Sequence, residues 1–168
     1  MEKVKITVVG SGYVGMTLAV LLAQHNEVIV LDIDEERVAK INAGQTTIAD
    51  TEIEAFLVEK DLDIVATSDA EVAYKNSDFV IVATPTNYDP DTNKFDSGSV
   101  NTVVEAALHA NSECLVVIKS TVPVGHTKLL QKSYGTKRVI FSPEFLREGT
   151  ALYDNLYPSR IIIGSECA

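Results

Sequence analysis

Residues 8–15 read V-V-G-S-G-Y-V-G, and this stretch decides the fold. A short apolar run at residues 4–9 leads into it and predicts a β-strand. An apolar repeat with helical spacing follows it, formed by Val14, Leu18, Leu21 and Leu22. Between the strand and the helix stands the pattern G-x-G-x-x-G, made by Gly10, Gly12 and Gly15. In that context the pattern indicates a dinucleotide-binding turn.

Each part of this turn has its own expected task. Gly10 permits the tight turn, Gly12 lets a pyrophosphate approach the backbone, and Gly15 lets the helix pack close to the strand. Tyr13 and Val14 open the helix, so we expect their backbone N–H groups to meet the phosphates at the positive end of the helix dipole. Backbone amides, rather than lysines, would then hold the anion.

The charge of the chain limits its partners. The 168 residues include 14 basic and 24 acidic side chains, which gives a formal charge of −10. Such a protein is repelled by nucleic acid and by anionic membranes, so we expect neither as a partner. No apolar run approaches the ~20 residues that cross a bilayer. The N-terminal run leads into glycines and a helix, so it is not interpreted as a signal peptide.

Asp32 ends the second predicted strand and indicates which dinucleotide binds. A carboxylate at this place accepts hydrogen bonds from the adenosine ribose and repels a 2′-phosphate, which favours NAD over NADP. Arg37 follows five residues later. It either contacts the adenosine or is a solvated helix residue, and the sequence leaves both interpretations open.

Short apolar runs alternate with helical periodicity along the rest of the chain. This alternation predicts an α/β fold: a Rossmann-type, doubly wound, mostly parallel sheet with helices on both faces, in one domain over residues 1–168. Further strands are predicted at residues 28–31, 64–66, 79–82, 115–118, 139–141 and 160–163. Helices are predicted at residues 34–43, 51–60, 70–74 and 124–133, and on the apolar stripe of Val100, Val103, Val104, Ala107 and Leu108.

The cysteines and histidines indicate no metal site. Cys114 opens an apolar run and is expected to be a buried core thiol, whereas Cys167 has no recognisable context. Neither belongs to a metal-binding or redox pattern, which fits a cytoplasmic protein. The histidines match no motif and are interpreted as surface or packing residues: His25, His109 and His126.

Small or polar residues follow the predicted strands at their carboxyl ends, where open α/β sheets bind ligands. Three such segments read A-T-P-T-N-Y (83–88), K-S-T-V-P-V-G (119–125) and S-P-E-F-L-R-E-G (142–149). Together with the glycine pattern, they resemble the UDP-glucose dehydrogenase family of nucleotide-sugar dehydrogenases. The resemblance covers essentially the whole chain, in order and with family-like spacing.

The resemblance implies a reaction and a set of site residues. The family oxidises the C6 alcohol of a sugar nucleotide to a carboxylate with two NAD, through a cysteine-bound thiohemiacetal and thioester. UDP-glucose is the implied substrate, and the full-length enzyme is implied to be a homo-oligomer. Thr84, Thr121 and Glu148 would lie at the nicotinamide end of the cofactor, and the last two would position water or assist proton transfer. Glu144 would belong to the same polar network.

The same resemblance implies that the backbone of Phe145, Leu146 and Arg147 holds the diphosphate of the substrate, with Tyr153 as a further contact. The residues alone leave simpler interpretations open. Both threonines are also typical strand-end caps. Glu148 is also compatible with a surface ion pair to Arg147 or another basic residue, and Glu144 with a structural role.

The family's nucleophilic cysteine, catalytic lysine and catalytic asparagine lie downstream of the motifs found here. The expectation is therefore an N-terminal NAD-binding domain without its central helix and C-terminal sugar-nucleotide domain, which binds NAD but does not turn over. Two alternatives remain. One is the same domain of a GDP-mannose or UDP-N-acetylmannosamine dehydrogenase. The other is a non-catalytic NAD-sensing module.

Overall fold

The computed structural model describes residues 3–90 and 94–164. Its main strands are β1 (Lys5–Val9), β2 (Glu27–Leu31), β3 (Ile64–Thr67), β4 (Phe79–Val82), β7 (Leu115–Ile118) and β8 (Val139–Phe141). They form one parallel sheet in the order β3-β2-β1-β4-β7-β8. Two short strands, β5 (Tyr88–Asp89) and β6 (Lys94–Phe95), pair antiparallel as a separate hairpin.

Seven helices are described: α1 (Tyr13–Ala23), α2 (Glu35–Asn42), α3 (Thr51–Glu59), α4 (Ala70–Tyr74), α5 (Gly98–Ala110), α6 (His126–Tyr134) and α7 (Ala151–Leu156). Buried residues of α1, α2, α3 and α7 pack in one apolar layer, on one face of the sheet. Buried residues of α4, α5 and α6 pack in a second layer, on the other face. The predicted doubly wound fold is therefore confirmed.

The two layers explain why the strands read as continuous apolar runs. Successive side chains of a strand point to opposite faces of the sheet. In β1, Val8 packs in the layer of α1 and Val9 packs in the layer of α5. In β4, Ile81 and Val82 divide in the same way. A strand covered on both faces has no solvent side, so polar alternation is absent.

Aspartates begin three consecutive helices. The side chains of Asp34, Asp50 and Asp69 each accept hydrogen bonds from two backbone N–H groups in the first turn of α2, α3 and α4 respectively. Such a cap contributes about 1 kcal/mol to stability, because it satisfies N–H groups that have no partner within the helix.

The strand order places the ligand-binding edge. The direction of winding reverses between β1 and β4, which are neighbours in the sheet, and this reversal opens a crevice beyond their carboxyl ends. Because all six strands are parallel, every carboxyl end lies at one edge, called here the carboxyl edge. The residues that follow the strands there include Gly10, Asp32, Thr84, Ser120 and Ser142.

The structure corrects four details of the predicted elements. Residues 160–163 form no strand. Among the described residues, backbone pairing with β8 after this segment is an isolated bridge between Gly164 and Phe141. Helix α6 begins at His126, two residues later than predicted, because Gly125 before it has a left-handed backbone with φ +86°. Helix α7 and the hairpin of β5 and β6 were not predicted.

Other residues fall where expected. Cys114 is buried, and burial raises the pKa of its thiol. Cys167 lies outside the described residues. In the part of the chain that the structure describes, no helix combines the length and apolar character needed to cross a membrane.

Candidate functional site

The glycine turn at the carboxyl end of β1 is shaped by close backbone packing. Gly10 has φ +95°, and a Cβ added to it would lie 2.7 Å from the carbonyl oxygen of Ala83. A Cβ on Gly15 would lie 1.8 Å from the carbonyl oxygen of Gly10. Gly15 therefore allows α1 to approach the turn that follows β1. The predicted approach was to the strand itself.

Gly12 differs from the other two glycines, because a Cβ added to it meets no protein atom within 4 Å. It lies at the N-cap of α1, and no side chain caps this helix or places an acidic group in its first turn. Helices α2, α3 and α4, in contrast, all begin with an aspartate cap. Helices α5 and α6 also begin without a side-chain cap, so the first turn of α1 is assigned to an external anion because it directly follows the glycine turn of β1.

Asp32 lies beside this turn and is 8% exposed. Its Oδ2 accepts hydrogen bonds from the N–H of Ser11 at 2.8 Å and from the Ser11 hydroxyl at 2.6 Å. Its Oδ1 accepts one from the N–H of Asp34 at 3.0 Å. Because a carboxylate oxygen has two lone pairs, Oδ1 can accept one more donor, such as a ribose hydroxyl.

Asp32 is also held ionised. Burial pushes its pKa upward, but the combined hydrogen bonds from Ser11 and from the Asp34 amide outweigh burial. The charge of Arg37 adds to them, and the pKa of Asp32 lies below its ordinary value of 3.8.

A cleft of about 590 Å³ opens between the glycine turn, the end of β2 and α5. Its volume lies within the range of small-molecule sites, about 300–1,000 Å³. The residues predicted to bind the cofactor and found in its lining are Gly10, Gly12, Asp32, Arg37 and Thr84. Apolar lining comes mainly from Leu31, Ile33, Ala83, Val103 and Ala106. This composition suits a base and a ribose.

Two lining residues add detail. Arg37 faces the cleft while its Nε lies 3.6 Å from Oδ2 of Asp34, so it is both ion-paired and in reach of a ligand. Tyr74 is buried, and burial raises its pKa to about 12, so it presents a neutral phenol at physiological pH.

A larger cavity of about 1060 Å³ lies at the opposite edge, where the strands begin. Lys5, Asp78, Phe79 and Glu113 are among its lining residues. It contains no glycine turn and lies at the edge where open α/β sheets do not bind ligands, so we assign the site to the smaller cleft.

Hydroxyl groups connect the loops after β4 and β7. The Ser99 hydroxyl, at the start of α5, donates to Thr84 Oγ1 at 3.2 Å and to the carbonyl of Pro85 at 2.9 Å. The Ser120 hydroxyl donates to the carbonyl of Thr84 at 2.7 Å. Thr84 is thereby fixed from both sides at the end of the cleft.

An ion pair connects the loops after β7 and β8. Nζ of Lys119 lies 3.0 Å from Oε2 of Glu144 and 3.4 Å from Oγ of Ser142. The side chains of Lys119 and Glu144 are only 10% and 19% exposed, so water screens this pair less than a surface pair. Oε1 of Glu144 accepts a hydrogen bond from the N–H of Phe145 at 3.2 Å.

The loop of residues 142–150 then crosses the carboxyl edge. It starts at β8, three strands away from β1, and ends at α7, which packs against α1 and α3. Three strand spacings are roughly 15 Å, which nine residues can span. The loop therefore runs along the same edge as the glycine turn.

The remaining predicted substrate residues lie in or after this loop. Arg147 forms a two-pronged ion pair with Asp154, its NH2 2.8 Å from Oδ1 and its Nε 3.2 Å from Oδ2. Its backbone N–H also donates to Oδ2 of Asp154 at 2.8 Å. Arg147 therefore has Asp154 as its ion-pair partner, and the simpler interpretation of Glu148, a surface ion pair with Arg147 or another basic residue, stays open. Phe145 is exposed beneath the guanidinium of Arg160, which lies 5.0 Å from its ring.

Ten of the predicted site residues do not line the cleft. They are three residues at the start of α1 (Tyr13, Val14 and Gly15), the four residues 144–147, and Thr121, Glu148 and Tyr153. Thr121 and Glu148 are exposed on two loops of the carboxyl edge. Tyr153 lies on α7, with its ring centre 4.9 Å from that of Tyr157. Their roles stay predictions.

Several site residues were missed by the sequence analysis. Ser11 could have been found, because it stands between two glycines of the turn and next to the expected ribose site. Lys119 begins the K-S-T segment, but its pairing with Glu144 depends on the neighbouring positions of β7 and β8. Ile33 gives no signal in the sequence, although it lines the cleft and is 97% exposed.

The groups outside the cleft include His126 and other side chains of the kinds that bind metal ions. Nε2 of His126 lies 2.8 Å from Oδ1 of Asn101, and burial lowers the pKa of this imidazole. Within residues 3–90 and 94–164, no group of three or more histidine, cysteine or acidic side chains is arranged to hold a metal ion.

Comparison with known proteins assigns the family. A family model for the NAD binding domain of the UDP-glucose/GDP-mannose dehydrogenase family matches residues 4–168. The chain belongs to this family. The predicted family and the predicted NAD cofactor are thereby confirmed.

Three relatives illustrate the match. A UDP-glucose 6-dehydrogenase of Streptococcus pneumoniae is 52% identical over 162 residues, which cover 96% of this chain and 41% of that protein. The solved UDP-glucose dehydrogenase of Pyrobaculum islandicum is 30% identical with a TM-score of 0.85, covering 99% of this chain and 41% of that one. The solved GDP-mannose dehydrogenase of Pseudomonas aeruginosa is 30% identical with a TM-score of 0.82, covering 95% and 40%. The chain thus spans about two fifths of the length of these relatives.

The geometry of the cleft fits NAD. The free space above Gly12 and the uncapped start of α1 suit the diphosphate. The ionised Asp32 suits a ribose with free hydroxyls and disfavours a 2′-phosphate.

Two alanine substitutions distinguish a glycine that leaves room for NAD from a glycine that is needed for packing of the protein. Gly12→Ala keeps the fold, because the added Cβ meets no protein atom, but it weakens NAD binding about tenfold or more by filling the phosphate site. Gly15→Ala lowers the free energy of unfolding, because its Cβ overlaps the Gly10 carbonyl. Urea unfolding and calorimetric titration with NAD measure both effects. Unchanged NAD affinity in Gly12→Ala would contradict the assignment of the phosphate site.

Ser11→Ala should raise the pKa of Asp32, because the carboxylate loses its hydroxyl donor. The folded-state pKa lies below 3.8, so ionised Asp32 contributes stability above that pH, and the contribution is lost as pH falls through the folded-state pKa. The variant should therefore be less stable than the wild type above pH 3.8 and approach it in acid. Carboxyl NMR and urea unfolding across pH check this, with exposed Ser112→Ala as control. An unchanged pKa would refute the argument.

Proposed function

We propose that this chain is the NAD-binding part of a UDP-glucose 6-dehydrogenase, which oxidises the C6 alcohol of UDP-glucose to a carboxylate with two NAD. When bound, NAD supplies the hydride acceptor. One observation carries the proposal: the cleft and the loop of residues 142–150 are connected along one edge of the sheet. The connection runs from Thr84 through Ser120 and Lys119 to Glu144. A single pocket at this edge can serve both ligands.

The proposed NAD contacts follow from the cleft. The amides of Tyr13 and Val14 would face the diphosphate, and Asp32 would accept hydrogen bonds from the adenosine ribose. Arg37 would contact the adenosine from the rim of the cleft. Thr84 and Thr121 would lie at the nicotinamide end, where their hydroxyls can donate and accept hydrogen bonds.

The two glutamates would have different tasks. Glu144 is held by Lys119 and by the Phe145 amide, which supports a role in shaping the loop. Glu148 is exposed and makes no ion pair among the described residues. A group that accepts a proton or orients water needs a free lone pair. We therefore assign this task to Glu148 together with Thr121.

The diphosphate of the substrate would bind at residues 145–147, but two of the three amides there already have partners. The Phe145 N–H donates to Glu144, and the Arg147 N–H donates to Asp154. Only the Leu146 amide has no carboxylate partner among the described residues. Substrate binding through this backbone therefore requires Asp154 or Glu144 to release an amide, with Tyr153 as the neighbouring side-chain contact.

Other substrates and another class of function remain to be tested. The higher identity to a UDP-glucose 6-dehydrogenase than to a GDP-mannose dehydrogenase favours UDP-glucose over GDP-mannose. UDP-N-acetylmannosamine is a further alternative. A non-catalytic NAD-sensing module would have no use for a polar substrate loop beside the cleft. A cytoplasmic location and a homo-oligomeric full-length enzyme stay predictions.

Titration of the NAD-saturated chain with UDP-glucose tests the proposal. We expect weak, millimolar binding, detected as shifts of amide NMR signals in residues 142–150, and no sustained formation of NADH. GDP-mannose and UDP-N-acetylmannosamine, measured in parallel, should bind more weakly. NAD binding without any nucleotide-sugar binding would favour the sensing module. Sustained NADH formation would contradict the view that catalysis needs groups outside these residues.

A further inference from the structure

The segment of residues 44–50, between α2 and α3, connects two parts of the site that the sequence keeps apart. Its first contact is with the glycine turn. The Thr47 hydroxyl donates to the carbonyl oxygen of Ser11 at 2.5 Å. Thr47 is half-buried, and the neighbouring Ile48 packs against the apolar layer of α1. The segment is therefore fixed at the turn and not merely close to it.

Ser11 joins this segment to the cofactor site. Its N–H and hydroxyl both donate to Asp32, while its carbonyl accepts from Thr47. A ribose hydroxyl on Oδ1 of Asp32 shares this carboxylate with Ser11, whose two donors are on Oδ2. A change at the ribose site therefore reaches Thr47 through one residue.

The second contact of the segment is made by Asp50, which is 3% exposed. Its Oδ1 caps α3 by accepting from the amides of Glu52 and Ile53. Its Oδ2 accepts from the amides of Ala151 at 2.9 Å and Leu152 at 3.4 Å, at the start of α7. One buried carboxylate thus holds the first turn of α3 and also that of α7, which begins 101 residues after Asp50 in the sequence.

The contact between Asp50 and Ala151 matters because of where Ala151 lies in the chain. It follows directly on the loop of residues 142–150, so Asp50 fixes the far end of that loop. Lys119 fixes the near end through Ser142 and Glu144. The exposed middle of the loop, with Phe145 and Glu148, is held between these two anchors.

We propose that Thr47 and Asp50 are positioning residues that couple NAD binding at the glycine turn to the order of the loop of residues 142–150. This inference rests on the proposed function, because it takes that loop as the nucleotide-sugar loop. NAD that fixes Asp32 and Ser11 stabilises the bond from Thr47. Asp50 then holds the start of α7 more firmly, and the loop is ordered before the second ligand arrives. Since coupling free energies are reciprocal, a nucleotide sugar would also strengthen NAD binding.

Hydrogen exchange of this chain, with and without saturating NAD, tests the coupling. NAD should slow exchange of the amides of residues 144–152 by about fivefold or more, the lower end of typical coupling between sites. Thr47→Val removes the hydroxyl at nearly constant shape and should abolish this protection. Thr47→Ser restores the donor and should retain it. Thr136→Val, in the turn after α6, removes a hydroxyl whose bond is with the Arg138 amide, outside the site, and should keep the protection by NAD of the wild type.

A second variant examines the other anchor. Asp50→Asn presents only one carboxamide oxygen, so it cannot accept from both helices. Exchange of the Ala151 and Leu152 amides should then rise even without NAD, while the amides of residues 12–15 keep their protection by NAD.

The outcomes are distinct. Equal protection of residues 144–152 in wild type and Thr47→Val would overturn the coupling, as would protection confined to the glycine turn in every variant. Absence of protection at residues 12–15 as well would contradict the cofactor site itself. Because the experiment uses NAD alone, failure of UDP-glucose to bind in the separate titration contradicts the proposed function without deciding the coupling.

Discussion

The uncapped start of α1 is the constraint on which the site depends. The chain carries a formal charge of −10, so its long-range field opposes an anionic cofactor. The compensation is local: backbone N–H groups and the helix dipole at Gly12, with no acidic side chain in the first turn. This start can lie so close to β1 only because Gly15 has no Cβ to meet the Gly10 carbonyl. The backbone packing of the turn and the binding of phosphate therefore depend on the same close approach of α1.

Polar side chains connect the glycine turn and the neighbouring loops along the carboxyl edge. Ser11 joins the turn to Asp32, Ser120 joins β7 to β4, and Lys119 joins β7 to β8. Each of these bonds links two loops whose strands are neighbours in the sheet. The sheet therefore sets the distance between the loops, and the side-chain bonds fix their positions relative to each other. The loop of residues 142–150 is the exception, since its far end is fixed by Asp50, which lies between α2 and α3 and not on the loop of a neighbouring strand.

The sequence predicted the parallel sheet and five residues that line the cleft, namely Gly10, Gly12, Asp32, Arg37 and Thr84. Continuous apolar strands and helical stripes are local patterns, and the glycine turn with Asp32 is a local motif, so these needed no knowledge of distant contacts. The contacts of Asp50 with Ala151 and of Lys119 with Glu144 could not be predicted, because they join segments that only the fold brings together. Residues 160–163 show the opposite error. Their apolar, β-branched composition is typical of a strand, but among the described residues the backbone pairing with β8 that follows them is an isolated bridge at Gly164.

The central claim is that NAD binds at the carboxyl edge, with its diphosphate at the start of α1. Amide NMR of the chain titrated with NAD tests it most directly. The account predicts the largest shifts at Gly12, Tyr13, Val14 and Asp32, and little change at Lys5, Asp78 and Phe79, which line the cavity at the opposite edge. Large shifts at that opposite edge, with the glycine turn unaffected, would contradict it.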